Sequence, residues 1–154
     1  MDAVAFAPDP GLDVLRRRRA ELFESMGALR QALDARTPGR LETWSEWVEV
    51  ALSELSADLR AHIAITEGPG GLHRDVVEVA PRLCHAVARL ARDHVQISAM
   101  LDRLSSQAGD VATVEDVAEV RNVGAALLER LARHRRRGAD LVFEAYATDI
   151  GGET

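Results

Sequence analysis

Residues 83–104 read LCHAVARLARDHVQISAMLDRL. Leu83, Val87, Leu90, Ile97, Leu101 and Leu104 recur at spacings that line one face of an α-helix, while most positions between them are small or charged. The stretch predicts an amphipathic helix with a single buried stripe, opened by Pro81 in its first turn. His94 lies on that stripe between Leu90 and Ile97, so its imidazole should point inward.

Outward from this segment the same pattern recurs. Leu12, Leu15, Leu22, Met26, Leu29 and Leu33 form an earlier stripe, with Asp9 as candidate N-cap and Pro10 as first helical residue. Thr37-Pro38-Gly39 breaks it. A second stripe runs through Val48, Leu52, Leu55 and Leu59, with Thr43 and Glu46 spaced as a capping box, and ends at Gly68-Pro69-Gly70-Gly71. A short helical piece is expected from Leu72 to Ala80. After a loop from Ser105 to Asp110, Thr113 and Asp116 mark another helix start, followed by Val120, Leu127 and Leu131. Short links join antiparallel neighbours, so the expected fold is an all-α, up-down four-helix bundle over residues 10–150. Residues 1–9 are expected to be disordered or extended, and 151–154 to form a tail.

The 154 residues suit one domain, and a 4% aromatic content leaves Leu, Val and Ala to build its core. The net charge of −6 argues against general nucleic-acid binding. No run of about 18 apolar residues and no basic-then-apolar start occurs, so neither a membrane span nor a signal peptide is expected, and the reading is cytoplasmic. Cys84 is the only cysteine, which excludes an internal disulfide and a Cys-x-x-Cys site and leaves packing as its expected role.

The stripes repeat in pairs. Leu15 aligns with Leu90, Leu22 with Ile97, Met26 with Leu101 and Leu29 with Leu104, which sets Arg19 opposite His94. Val48 aligns with Val120, Leu55 with Leu127 and Leu59 with Leu131, which sets His62 opposite His134. The chain is therefore two similar hairpins. In an up-down bundle Arg19, His62, His94 and His134 should meet at one end of the core.

These residues carry a resemblance. Leu90-Ala91-Arg92-Asp93-His94 and Leu59-Arg60-Ala61-His62 through Thr66-Glu67 are similar to the two helix patterns of the hemerythrin-like (HHE cation-binding) family, and Gly138-Ala139-Asp140-Leu141 through Asp149-Ile150-Gly151-Gly152 looks like the tail of its actinobacterial members. The resemblance implies a non-haem di-iron centre that binds dioxygen or related small molecules, with some members acting as sensors. It implies His62, Glu67, His94 and His134 as metal ligands, with Arg19, Thr66 and Glu144 around the pocket. This chain departs from the pattern where Arg19 replaces a histidine, where Thr66, Gly138 and Ala139 replace carboxylates, and where Leu90 and Ser98 leave His94 without a second histidine one turn away. Bridging carboxylates hold paired irons, so an intact di-iron site is not expected.

Two readings stay open on the residues. Three imidazoles and a carboxylate satisfy a single ion such as iron or zinc. The charged Arg19 would repel a cation and suits a carboxylate or other anion, which leaves a metal-free bundle that binds an anionic or organic ligand or a partner protein. In that second reading Arg19 pairs with Glu67. His73, after the glycine-rich turn, and His85, off the stripe, are expected to be at the surface or partly buried. Most of the arginines at 16–19 and 133–137 are expected to form a solvated face, with recruitment of an anionic ligand or a partner's acidic surface as the alternative. Trp44 and Trp47 are expected to pack at the far end of the core, with a homodimer contact as the alternative. No familiar catalytic motif occurs and no catalytic residue is assigned.

Overall fold

The computed structural model describes residues 10–37 and 39–148. The expectations for residues 1–9, including Asp9, for Pro38, for the Leu12 side chain and for the tail beyond 148 lie outside this description. Helices α1 (Pro10–Asp34), α2 (Leu41–Glu67), α3 (Leu72–Val79), α4 (Cys84–Gly109) and α5 (Val114–Phe143) follow in order, with a 3-10 turn at Pro81–Leu83 and a π turn at Glu144–Thr148. The four long helices form the expected bundle. Around it, α1 neighbours α2 and α5, while α4 neighbours α2 and α5. Among the described residues no helix is long and apolar enough to cross a membrane.

The stripes become one core. Leu22, Leu29, Leu55, Ile97, Leu104 and Leu127 are each fully buried in it, and full burial of such a side chain is worth about 1.5–3 kcal/mol. Trp44 is buried in the same cluster, whereas Trp47 is 47% exposed. At Gly124 an added Cβ would lie 2.5 Å from a Leu33 methyl, so the bare backbone lets α5 approach α1.

Helix starts follow a contest between caps and burial. The Thr113–Asp116 capping box forms: the Asp116 N–H donates to Thr113 Oγ1 at 3.1 Å, and the Thr113 N–H donates to Asp116 Oδ2 at 3.0 Å. The Ala112 N–H also donates to Asp116 Oδ2, at 2.9 Å, and this bond, then those from the Thr113 N–H and hydroxyl, hold the Asp116 carboxyl below its usual pKa. The Thr43–Glu46 box does not cap α2, which begins three residues earlier, after Arg40, without a side-chain cap. The earlier start brings Leu41 against the core beside Trp44, and that burial outweighs a cap worth about 1 kcal/mol. Pro81 opens the 3-10 turn rather than α4 itself. Cys84, the first residue of α4, is exposed, contrary to the expected packing role.

Arg121 on α5 clamps the end of the bundle away from the histidines. Its Nε donates to the Leu33 carbonyl and its Nη2 to the Ala35 carbonyl, both at 2.8 Å. The guanidinium also lies 5.4 Å from the Trp44 ring centroid. Arg121→Ala frees two carbonyls at the end of α1, and hydrogen bonds from a charged donor are worth about 1.5–3 kcal/mol. A loss of that size in urea unfolding is expected; an unchanged midpoint would show the clamp to be idle.

A second, smaller cluster roofs the opposite end. Val76 and Ala80 from the α3 segment meet Leu83, Leu90, Leu141 and Ala145 there. The roof hangs from Gly68-Pro69-Gly70-Gly71, where Gly70 takes φ of 69°, a conformation that favours glycine. It covers the end of the bundle that carries the buried histidines.

Candidate metal and ligand site

Each long helix contributes one corner at that end. His62 on α2, His94 on α4 and His134 on α5 are all buried, and one ring nitrogen from each lies within 4.8 Å of the others. Ring centroids are 4.6 Å apart for His94 and His134, 5.2 Å for His62 and His94, and 5.7 Å for His62 and His134. Three buried histidines this close could hold a metal ion. Arg19 on α1 lines the same cavity half-buried.

The carboxylates stand behind the rings. Glu67 Oε2 lies 2.6 Å from His94 Nδ1, so a neutral His94 directs its proton to Glu67 and carries its lone pair on Nε2. That Nε2 is buried without a hydrogen-bond partner, as is Nδ1 of His62. Arg19 and Glu67 form no ion pair, so the pairing expected for a metal-free core does not occur. On the next corner His134 Nδ1 lies 3.3 Å from Asp93 Oδ2, which also accepts from Arg137 Nη1 at 3.2 Å. Arg130 approaches the other Asp93 oxygen at 3.7 Å.

Electrostatics favour uncharged imidazoles. Burial first, then the neighbouring His94, His134, Arg19 and His73, lower the His62 pKa to about 3. Burial and His94 lower His134 to about 4 despite the opposing pull of Asp93. The His134–Asp93 contact is thus a neutral N–H donating to a carboxylate. A metal ligand must be in this neutral form.

The remaining sequence candidates are placed as follows. Thr66 is buried at the cavity wall, and its hydroxyl donates back to the His62 carbonyl at 2.9 Å. Gly138 also lines the cavity, with open space where a Cβ would stand. Glu144 is exposed in the π turn and lines an outer groove with His85 and Arg89 instead of the histidine cavity. His85 is exposed, as expected.

His73 is a correction to the sequence reading. It is buried, and its ring stacks on His94 with centroids 5.7 Å apart and planes 5° from parallel. Burial and the nearby His94 lower its pKa, against a smaller raising effect of Glu67. Most of the two basic clusters is exposed, as expected, including Arg133, Arg136 and Arg137, although Arg137 also donates to Asp93; Arg135 departs from this, half-buried and stacked over Phe23 at 4.5 Å. Asp93 precedes the expected ligand His94 directly, and a carboxylate next to a histidine, facing a helix of arginines, is the signal that could have singled it out.

A cavity beside the cluster, lined by His62, His73, His134, Arg19 and Arg135, has a volume of about 30 Å³, room for a water molecule or two, or an ion. Comparison with protein-family models, curated proteins and solved structures finds no match for this chain.

Proposed function

We propose that this bundle binds one metal ion, iron or zinc, through His62, His94 and His134, and that the bound ion takes up a small ligand as in the hemerythrin-like proteins the sequence resembles. The observation that carries the reading is the convergence of three buried imidazoles, two of them with unpartnered nitrogens, at the end of the core. Buried polar atoms without partners are rare in folded chains and call for an occupant.

The donor set fits the ion. Three neutral nitrogens are a known first shell for zinc, and iron also accepts imidazole. Glu67 behind His94 and Asp93 behind His134 orient the rings and raise their basicity, the usual role of a carboxylate behind a metal-binding histidine. A pair of irons fits less well, because no carboxylate lines the cavity to bridge them. When bound, the ion would supply a Lewis-acidic coordination position. The residues of this chain hold the rings in register, keep His62 and His134 uncharged and cover the site with the α3 roof.

Elemental analysis of protein prepared without chelators tests the reading. About one iron or zinc per chain is expected after dialysis. Less than about a tenth of an ion per chain, in protein also offered both metals, would sink it.

A further inference from the structure

Arg135 is in an uncomfortable position. Its guanidinium is held over Phe23, and its Nε is buried without a hydrogen-bond partner. Phe23 sits one helical turn beyond Arg19 on α1, which brings the two guanidinium groups close enough for Arg19 to repel Arg135. Among the described residues neither guanidinium forms a hydrogen bond or ion pair.

Both arginines line the histidine cavity, and no carboxylate does. Arginines that reach buried groups elsewhere are answered: Arg137, itself exposed, by Asp93 and Arg121 by two carbonyls. Two like charges converging on one unanswered space need an anion to complete them.

We propose that Arg19 and Arg135 form an anion-binding site at the mouth of the histidine cavity, and that its ligand is a small carboxylate. The shape of the space selects within the anions. About 30 Å³, room for about two water-sized groups, admits the two oxygens of a planar carboxylate but not the four of a tetrahedral phosphate. Leu15, Leu22 and Leu141 supply apolar walls that a methyl group can contact while the carboxylate faces the guanidinium groups. The site does not need the metal ion, although an anion there would offset the repulsion between Arg19 and a cation on His62.

Acetate is the probe. Metal-free protein, prepared with a chelator, and zinc-treated protein are each titrated with acetate by calorimetry at constant ionic strength set with chloride. The Arg135 Nε–H signal is followed by NMR. Saturable binding to the metal-free protein is expected, with a shift of the Arg135 signal. Arg19→Gln and Arg135→Gln should each weaken binding about tenfold or more, and Arg16→Gln, at an exposed position, should not. Phosphate should bind at least tenfold more weakly than acetate.

No binding to the wild-type chain would overturn the proposal. So would acetate binding confined to zinc-treated protein and indifferent to both arginine substitutions, because the ion alone would then hold the anion. Phosphate binding more tightly than acetate would overturn the carboxylate assignment. The metal-free arm reads the anion site whether or not the histidines hold an ion, so failure of one reading is distinguishable from failure of the other.

Discussion

At the proposed three-histidine site, replacing His94 by alanine is expected to lower the apparent affinity for zinc about a hundredfold or more. His94 is the hub of the cluster: it is the nearest ring to both His62 and His134, it is stacked beneath His73, and Glu67 fixes its Nδ1. Removing it leaves two imidazoles, too few for a closed first shell. Glu67→Gln should have a smaller effect, about tenfold to a hundredfold, because it loosens the ring without removing a ligand. His85→Ala, on the exposed side of α4, should bind as the unaltered chain does. A chelator-competition titration orders the four proteins. Equal affinity of the His94→Ala and unaltered chains would move the ion elsewhere and end the three-histidine reading.

Acid should undo the metal-free fold earlier than its carboxylates would. His62 and His134 titrate near 3 and 4 in the folded chain and near 6.5 when unfolded. Above about pH 7 both states carry neutral rings, and the two histidines make no demand on stability. As pH falls through 6.5, the unfolded chain takes up protons that the folded chain refuses, so stability drops until the folded pKa values are reached. By pH 4.5 the combined loss is on the order of 5 kcal/mol, which rivals the whole stability of an ordinary domain. Urea midpoints measured from pH 7.5 to 4.5 should fall steeply, and His62→Leu should remove about half of the slope. A midpoint flat over that range would show that the rings are not kept neutral by burial. Protons compete with an ion for the same nitrogens, so metal should be released over the same range.

The bundle was legible because its helices are long. Several turns of leucine at helical spacing define a stripe, and the corner residues Arg19, His62, His94 and His134 could be placed on it without a structure. Where turns are few, phase is lost. Helix α3 has eight residues, too short a run for periodicity to show which face is buried, and this concealed His73. The 3-10 turn then resets the rotation before α4, which leaves Cys84 outside. Asp93 was concealed for a different reason. It lies one residue from the stripe, about 100° around the helix, and is buried only because His134 and Arg137 come to it from α5. Partners on another helix leave no periodic trace. The same holds for Arg135, which looked like one member of a solvated basic run until Phe23 on α1 was seen beneath it.

The distribution of the corners over four helices carries one more consequence. Arg19 and His62 belong to the first hairpin, while His94 and His134 belong to the second. Neither half of the repeat holds the constellation by itself, so the cavity is a property of the seam along which the halves dock. Anything that fills it fastens one half to the other, and occupancy there becomes a gauge of how closely the two halves of the chain are joined.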